Sequence, residues 1–275
     1  MNYSPKKIND DLINSNFKIK KKFGQNFIAD ENTIKRIVEK SEIDENSLVI
    51  EIGPGIGSLT HYLCKKAKNV LCYEIDKEVE PILKENIDAN VNIIFGDFLK
   101  ANVIEDIKKY DYKYLYVIAN LPYYITTPII LKIIEDKIDV DKIVVMVQKE
   151  VGNRFSAQPN TKDYNSLSVY LNYYFNVKKL IDVSRNIFIP VPNVDSIVVE
   201  MTKKEQKLVL KNKDLFFKIV RDSFKFKRKN LRNNLKNYDL AKIEDVLKKY
   251  SFDLSNRAEQ LNIEVFAEIS NKLSE

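Results

Sequence analysis

Two short segments of this 275-residue chain carry residue types that could do chemistry together. The first is Glu51-Ile52-Gly53-Pro54-Gly55-Ile56-Gly57, which follows the apolar run Leu48-Val49-Ile50. Glycines there let the backbone come close to a ligand at the carboxyl end of a strand. Glu74 ends the next apolar run, and a carboxylate there can accept hydrogen bonds from both ribose hydroxyls of an adenosine. Asp97 ends a third run and could hold the adenine amino group. A nicotinamide-dependent dehydrogenase uses the same logic. Its G-x-G-x-x-G turn, however, sets backbone amides and a helix N-terminus on a pyrophosphate. Here the third glycine comes one residue early, which favours an adenosine ligand without phosphates, such as S-adenosylmethionine. A purely structural tight turn stays open at this point.

The second segment is Asn120-Leu121-Pro122-Tyr123, directly after the run Leu115-Tyr116-Val117-Ile118-Ala119. An exocyclic adenine amine is a poor nucleophile, because its lone pair is delocalised into the ring. The Asn120 side-chain oxygen and the Leu121 carbonyl can grip its two hydrogens and favour a more pyramidal nitrogen. Pro122 fixes the backbone so that both acceptors face one way. Tyr123 offers an aromatic face for the base. The bland alternative is a strand-to-helix turn, for which N-x-P is a common signal. In Phe188-Ile189-Pro190-Val191-Pro192-Asn193-Val194-Asp195-Ser196 the prolines hold the chain extended and expose Phe188 as a candidate for the base's other face. The alternative there is Phe188 in the core. Phe23-Gly24-Gln25-Asn26-Phe27-Ile28 reads from composition as a turn.

These segments need rigid elements to position them. Apolar runs at residues 48–52, 70–73, 91–95, 115–119 and 143–147 read as strands. Helical spacing recurs at 33–40, 58–66, 77–86 and 128–134. Continuous Val/Ile/Leu runs separated by helices predict a parallel α/β sheet covered on both faces. Runs at 176–183 and 197–201 add antiparallel strands at one edge. Beyond Thr202 only helical periodicity remains, at 215–224, 240–250 and 263–273. The expected division is a flexible basic arm over 1–22, a sheet domain over 23–202 and a small all-helical domain over 203–275.

The net charge of +6 is uneven, since residues 203–249 hold sixteen Lys or Arg against six Asp or Glu, a local +10 that leaves −4 elsewhere. Such polarity points to a polyanion, concentrated on Lys225, Lys227, Arg228, Lys229 and Arg232. A solvated lysine face is the alternative. The only histidine, His61, excludes a multi-histidine metal site and reads as a surface residue. Cys64 and Cys72 show no metal-ligand spacing and read as small buried hydrophobes in a reducing cytoplasm. No signal peptide or transmembrane run of about 20 apolar residues is visible.

Taken together these residues resemble the ribosomal RNA adenine dimethyltransferase family. The likeness runs from Lys21 to near the C-terminus. It includes Gly24-Gln25-Asn26-Phe27, the Glu51 to Gly55 turn, Asn120 to Tyr123, Gln148-Lys149-Glu150-Val151, Leu167-Ser168-Val169, Pro192 to Ser196 and Arg257-Ala258-Glu259-Gln260-Leu261. It implies a class I (Rossmann-like) methyltransferase fold with a seven-stranded sheet. It further implies that Asn26, Ile28, Gly53, Gly55, Glu74, Asp97 and Asn120 surround S-adenosylmethionine, with no metal. The implied substrate is two adjacent adenines near the 3′ end of 16S rRNA, each dimethylated in a late small-subunit precursor; a monomer is expected for this chain. Tyr124 departs from the asparagine frequent at that position, which could alter base entry. A large-subunit RNA methyltransferase, a DNA adenine methyltransferase and a non-catalytic RNA-binding assembly factor are the rival readings.

Overall fold

The computed structural model describes residues 5–15, 17–205 and 208–275. Its strands are β1 (Phe27–Ile28), β2 (Ser47–Ile52), β3 (Asn69–Glu74), β4 (Val91–Phe95), β5 (Tyr114–Asn120), β6 (Lys142–Gln148), β7 (Phe175–Val183), β8 (Phe188–Ile189) and β9 (Ser196–Lys203). Seven of them form one sheet in the order β4-β3-β2-β5-β6-β9-β7, and β1 pairs with β8 in a small antiparallel ribbon. From β4 to β6 every pairing is parallel, whereas β9 runs antiparallel to β6. The apolar runs account for this. Every residue of β2 is buried, as are the first six of β6, so the central residues are apolar in succession and do not alternate with solvent-facing ones; Ser47, Glu51 and Lys142 are the buried polar exceptions.

The strand order reverses at β2, which pairs with β3 on one side and β5 on the other. Loops after neighbouring strands at such a switch point diverge to opposite faces and open a crevice at the carboxyl edge. The glycine turn follows β2 and Asn120 ends β5, so both chemical segments meet there.

Several helices begin where a side chain can satisfy free backbone amides. The helix Glu31–Ser41 starts at Asp30, whose carboxylate accepts from Thr33 N at 2.9 Å, and it buries Ile34, Ile37 and Val38 at helical spacing. Full burial of such side chains contributes about 1.5–3 kcal/mol each. The stretch predicted as a helix at 58–66 is helical only over Thr60–Leu63.

The N-terminal segment is not a free arm. Pro5–Asn14 is a helix with Ile8 and Leu12 buried one turn apart, and Phe17 packs edge-on against Phe27 at 6.3 Å. Lysine content masked that apolar stripe in the sequence reading. Residues 1–4 and 16 of the predicted arm lie outside the described residues.

The chain divides into two units, and their boundary differs from a single cut at 203. The sheet unit runs to Gly152 and takes up Lys178–Thr202, while the helical unit combines Asn153–Val177 with the chain from Lys203. The reason is the helix Ser166–Tyr174, capped by Asn165, whose Val169 and Tyr173 join the core built by Phe216 and Phe217. Tyr173 lies 5.8 Å from Phe216 and 5.4 Å from Phe217, ring centre to ring centre. The helices Lys213–Ser223, Leu240–Lys249 and Ile263–Leu273 complete that unit. No described helix is long and apolar enough to cross a membrane.

Candidate active site

A cleft of about 710 Å³, counted to its open mouth, lies at the switch point of the sheet unit. One wall is the glycine turn. Gly55 has φ +57°, and a Cβ there would stand 2.9 Å from Cε1 of the Phe27 ring, so only glycine leaves room for β1 to close over the turn. The Gly55 amide donates to Glu74 Oε2 at 3.0 Å, and Asp76 N donates to Glu74 Oε1 at 2.8 Å. Burial pushes the Glu74 carboxyl above its ordinary range, though both amide bonds favour the charged form. Glu74 therefore shapes the turn as well as lining the cleft.

A second wall comes from the segment that composition presented as a plain turn. Gln25 accepts from Lys20 N at 2.7 Å and donates to Asp76 Oδ2 at 2.8 Å, while Lys20 Nζ reaches Asp76 Oδ1 at 2.7 Å. Burial alone would raise the Asp76 carboxyl, but Lys20 and Gln25 hold it below its usual value. These bonds pin Gly24 to Ile28 along the cleft. The sequence assigns no role to either: Gln25 falls in the family's Gly-Gln-Asn-Phe opening, whereas Lys20 precedes the family likeness and carries no signal.

The third wall is Asn120 to Tyr123. The Asn120 amide donates to the Asn26 carbonyl at 3.0 Å, and because a carbonyl can only accept, its NH₂ end is committed there. Its Oδ1 is the acceptor left on offer. Leu121 N donates to the Met146 carbonyl, and among the described residues no donor is paired with the Leu121 carbonyl. Tyr123 lines the cleft half-buried, and its hydroxyl meets Ser196 Oγ at 2.8 Å. Burial raises the phenol, so the ring stays neutral. Tyr124 is exposed, and a Cβ on Gly24 would stand 3.2 Å from its ring.

The structure thus brings Asn26, Ile28, Gly53, Gly55, Glu74, Asn120, Leu121, Pro122 and Tyr123 to one cleft. Two of the predicted residues are not in its lining. Asp97 caps the turn Phe98–Lys100, its carboxylate accepting from Leu99 N at 3.0 Å. Phe188 is 1% exposed, because β8 pairs with β1 and turns that ring into the core of the sheet unit. The prolines keep the segment extended, but extension buries Phe188 instead of exposing it. His61 is likewise buried, with Nδ1 on the Asn86 carbonyl and Nε2 beside Lys65 Nζ, because its short helix meets the C-terminal end of the helix Glu80–Glu85. Cys64 and Cys72 are buried and free.

Two lining residues the sequence left without a role are Glu51 and Ser58. Glu51 is fully buried, and burial pushes its carboxyl up to about 8. The Ser58 hydroxyl is buried with no hydrogen-bond partner among the described residues. An orphaned hydroxyl, an acceptor pair on Glu74 and a glycine turn with no basic phosphate partner among the lining residues fit S-adenosylmethionine.

The basic residues lie in the helical unit. Lys225, Lys227, Arg228, Lys229 and Arg232 are exposed, most of them on the turn between Lys213–Ser223 and the short helix Leu231–Asn234. None forms an ion pair with a described residue, so their charge is free for a polyanion. Lys227 Nζ donates to the Lys162 carbonyl at 3.0 Å.

A donor cleft at a sheet switch point, faced by an acceptor-bearing Asn-Leu-Pro-Tyr segment, belongs to the class I S-adenosylmethionine-dependent methyltransferases. Comparison with known proteins narrows the class. Residues 16–275 match the family described as Ribosomal RNA adenine dimethylase, and the chain belongs to that family. It is 45% identical over 271 residues to the ribosomal RNA small subunit methyltransferase A of Streptococcus thermophilus, covering 94% of this chain and 93% of that one. The Bacillus cytotoxicus protein of that name is 44% identical, covering 98% and 96%. The crystal structure of a dimethyladenosine transferase from Plasmodium falciparum superposes with TM-score 0.72 at 26% identity, covering 86% of this chain and 94% of that one.

Proposed function

We propose that the protein transfers methyl groups from S-adenosylmethionine to N6 of two adjacent adenines near the 3′ end of 16S rRNA, four in all, in a late small-subunit precursor. It does so as a cytoplasmic monomer. The observation that carries this reading is the committed Asn120 amide, which leaves Oδ1 and the Leu121 carbonyl as two acceptors on the cleft that holds the glycine turn. S-adenosylmethionine, when bound, supplies an electrophilic methyl group. Glu74 binds its ribose hydroxyls, and the glycine turn lets the backbone approach. In the first transfer Asn120 and Leu121 would accept from the two hydrogens of the target amine and orient its lone pair at the methyl carbon; in the second, the one remaining N–H is held by one of these acceptors. Tyr123 stacks on the base, which must leave any helix to reach it. Proximity and preorganised acceptors supply the acceleration; the sulfur would depart as a neutral thioether, and with no dedicated base among these residues the surplus amine proton passes to solvent. The basic turn from Lys225 to Arg232 grips phosphates without reading sequence.

Mass spectrometry of undermethylated small subunits incubated with protein and labelled cofactor tests the substrate. Two dimethylated adenines in 16S rRNA are expected, and label confined to large-subunit RNA would overturn the reading. The roles separate by variant. Glu74→Ala removes charge-assisted bonds worth roughly 1.5–3 kcal/mol, so cofactor affinity should fall about 10- to 150-fold with the saturated rate largely kept. Asn120→Ala should keep cofactor affinity within a few-fold yet cut the single-turnover rate on the order of 100-fold. A wild-type rate in Asn120→Ala would sink the amine-gripping mechanism.

A further inference from the structure

With Phe188 buried, the segment from Phe188 to Ser196 needs another role, and its last residue supplies one. We infer that Ser196 is a positioning residue that holds the Tyr123 ring at the angle needed for stacking. The inference rests on Tyr123 serving as the stacking face.

Sheet topology brings the two together across 73 residues of sequence. Because β9 runs antiparallel to β6, its first residue lies at the carboxyl edge of the parallel strands. Ser196 there pairs with Gln148, while Asn120 at the end of β5 pairs with Met146. Ser196 is fully buried, and its hydroxyl lies 2.8 Å from the Tyr123 hydroxyl. Among the described residues, each is the other's only hydroxyl partner.

The backbone of Ser196 is held firmly. The preceding Asp195 accepts from Lys149 N through its carbonyl and from Arg185 N through Oδ1, each at 3.0 Å. Tyr123, by contrast, sits outside regular structure, between the end of β5 and the helix Thr126–Glu135. Pro122 restrains the backbone before it, but nothing regular sets its side-chain torsions. Tethering the far end of the ring removes rotamers that would otherwise be lost when a base stacks. Asn120 and Leu121 reach the amine only if the base plane is set, so the tether acts on the transfer step through Tyr123. RNA affinity, which phosphate contacts dominate, should not move.

The experiment is a double-mutant cycle on the full-length protein, with undermethylated small subunits at saturating cofactor. Ser196→Ala and Tyr123→Phe each delete the same hydrogen bond, one from either end. Each should lower the single-turnover rate about 3- to 10-fold, within the range of one net hydrogen bond, with the KM for subunits and the cofactor Kd unchanged. The double variant should be no slower than the slower single one. Ser196→Thr, which restores a hydroxyl on a strand residue, should recover most of the rate. Multiplicative losses in the double variant would overturn the inference, as would a parental rate in Ser196→Ala. So would a Ser196→Ala defect in cofactor binding or melting temperature that matches its rate loss, since that marks a merely structural role. If the parent itself methylates no small-subunit RNA, the proposed function fails, and that outcome is separate from these.

Discussion

At the scale of single residues, burial decides what an ionisable group is. Glu51 opens the glycine motif, and it is fully buried with its carboxyl pushed up to about 8 from 4.5. Between those values the folded protein keeps a proton that the unfolded chain has released. Its contribution to stability is therefore intact below about pH 4.5 and is lost as pH rises towards 8. Glu51→Gln keeps the shape and removes the titration. Denaturant unfolding without cofactor should show the variant gaining on the parent by roughly 3 kcal/mol between pH 5 and pH 8. Parallel stability curves across that range would mean that Glu51 is ionised in the fold. The place of Asn120 and Glu74 in the cleft lining was legible because each ends a strand at the carboxyl edge of the sheet. Phe188 was not, since exposure of a ring depends on what pairs with its strand.

At the scale of elements, packing overrides propensity in the helix Lys149–Phe155. Glycine inside a helix ordinarily costs about 1 kcal/mol relative to alanine, which alone would make Gly152→Ala stabilising. Here a Cβ at Gly152 would meet Ile197 Cγ2 at 2.2 Å and Val199 Cγ2 at 3.0 Å, both on β9. Overpacking of that kind costs typically 1–3 kcal/mol, so it outweighs the propensity gain. Gly152→Ala should lower the melting temperature by a few degrees, and an increase would show that β9 yields freely. The central parallel strands were legible because both their faces are buried and their apolar runs are long; the edge strand β4, with Asn92 exposed, was legible from its apolar residues alone. The helix Ser166–Tyr174 was missed, since Tyr170, Tyr173 and Tyr174 blur its periodicity.

At the scale of the whole molecule, the two chemical tasks fall to different units. The cleft is built entirely from the sheet unit, and the five basic residues belong entirely to the helical unit. Changes to one should leave the other's constants alone. Arg228→Glu combined with Lys229→Glu removes two exposed cations that have no described carboxylate partner. If both contact phosphates, the slope of log affinity against log salt should flatten by about 1.4 to 1.8, with cofactor affinity unchanged. An unchanged slope would reduce this turn to ordinary solvated surface.

Local order in the chain already specified the glycine turn, the Asn-Leu-Pro-Tyr segment, the run of parallel strands and the basic C-terminal region. Each depends on spacing between near neighbours, and steric and hydrogen-bonding rules act at that range. The tertiary structure decided which distant residues share the cleft. Lys20 and Gln25 reach Asp76 more than fifty positions away, and Ser196 reaches Tyr123 only because β9 enters the sheet antiparallel between β6 and β7. It also decided that residues 153–177 leave the sheet unit for the helical one, because their buried face finds its partners in Phe216 and Phe217. Such pairings follow from strand order and from which apolar faces meet, and no short stretch of chain encodes either.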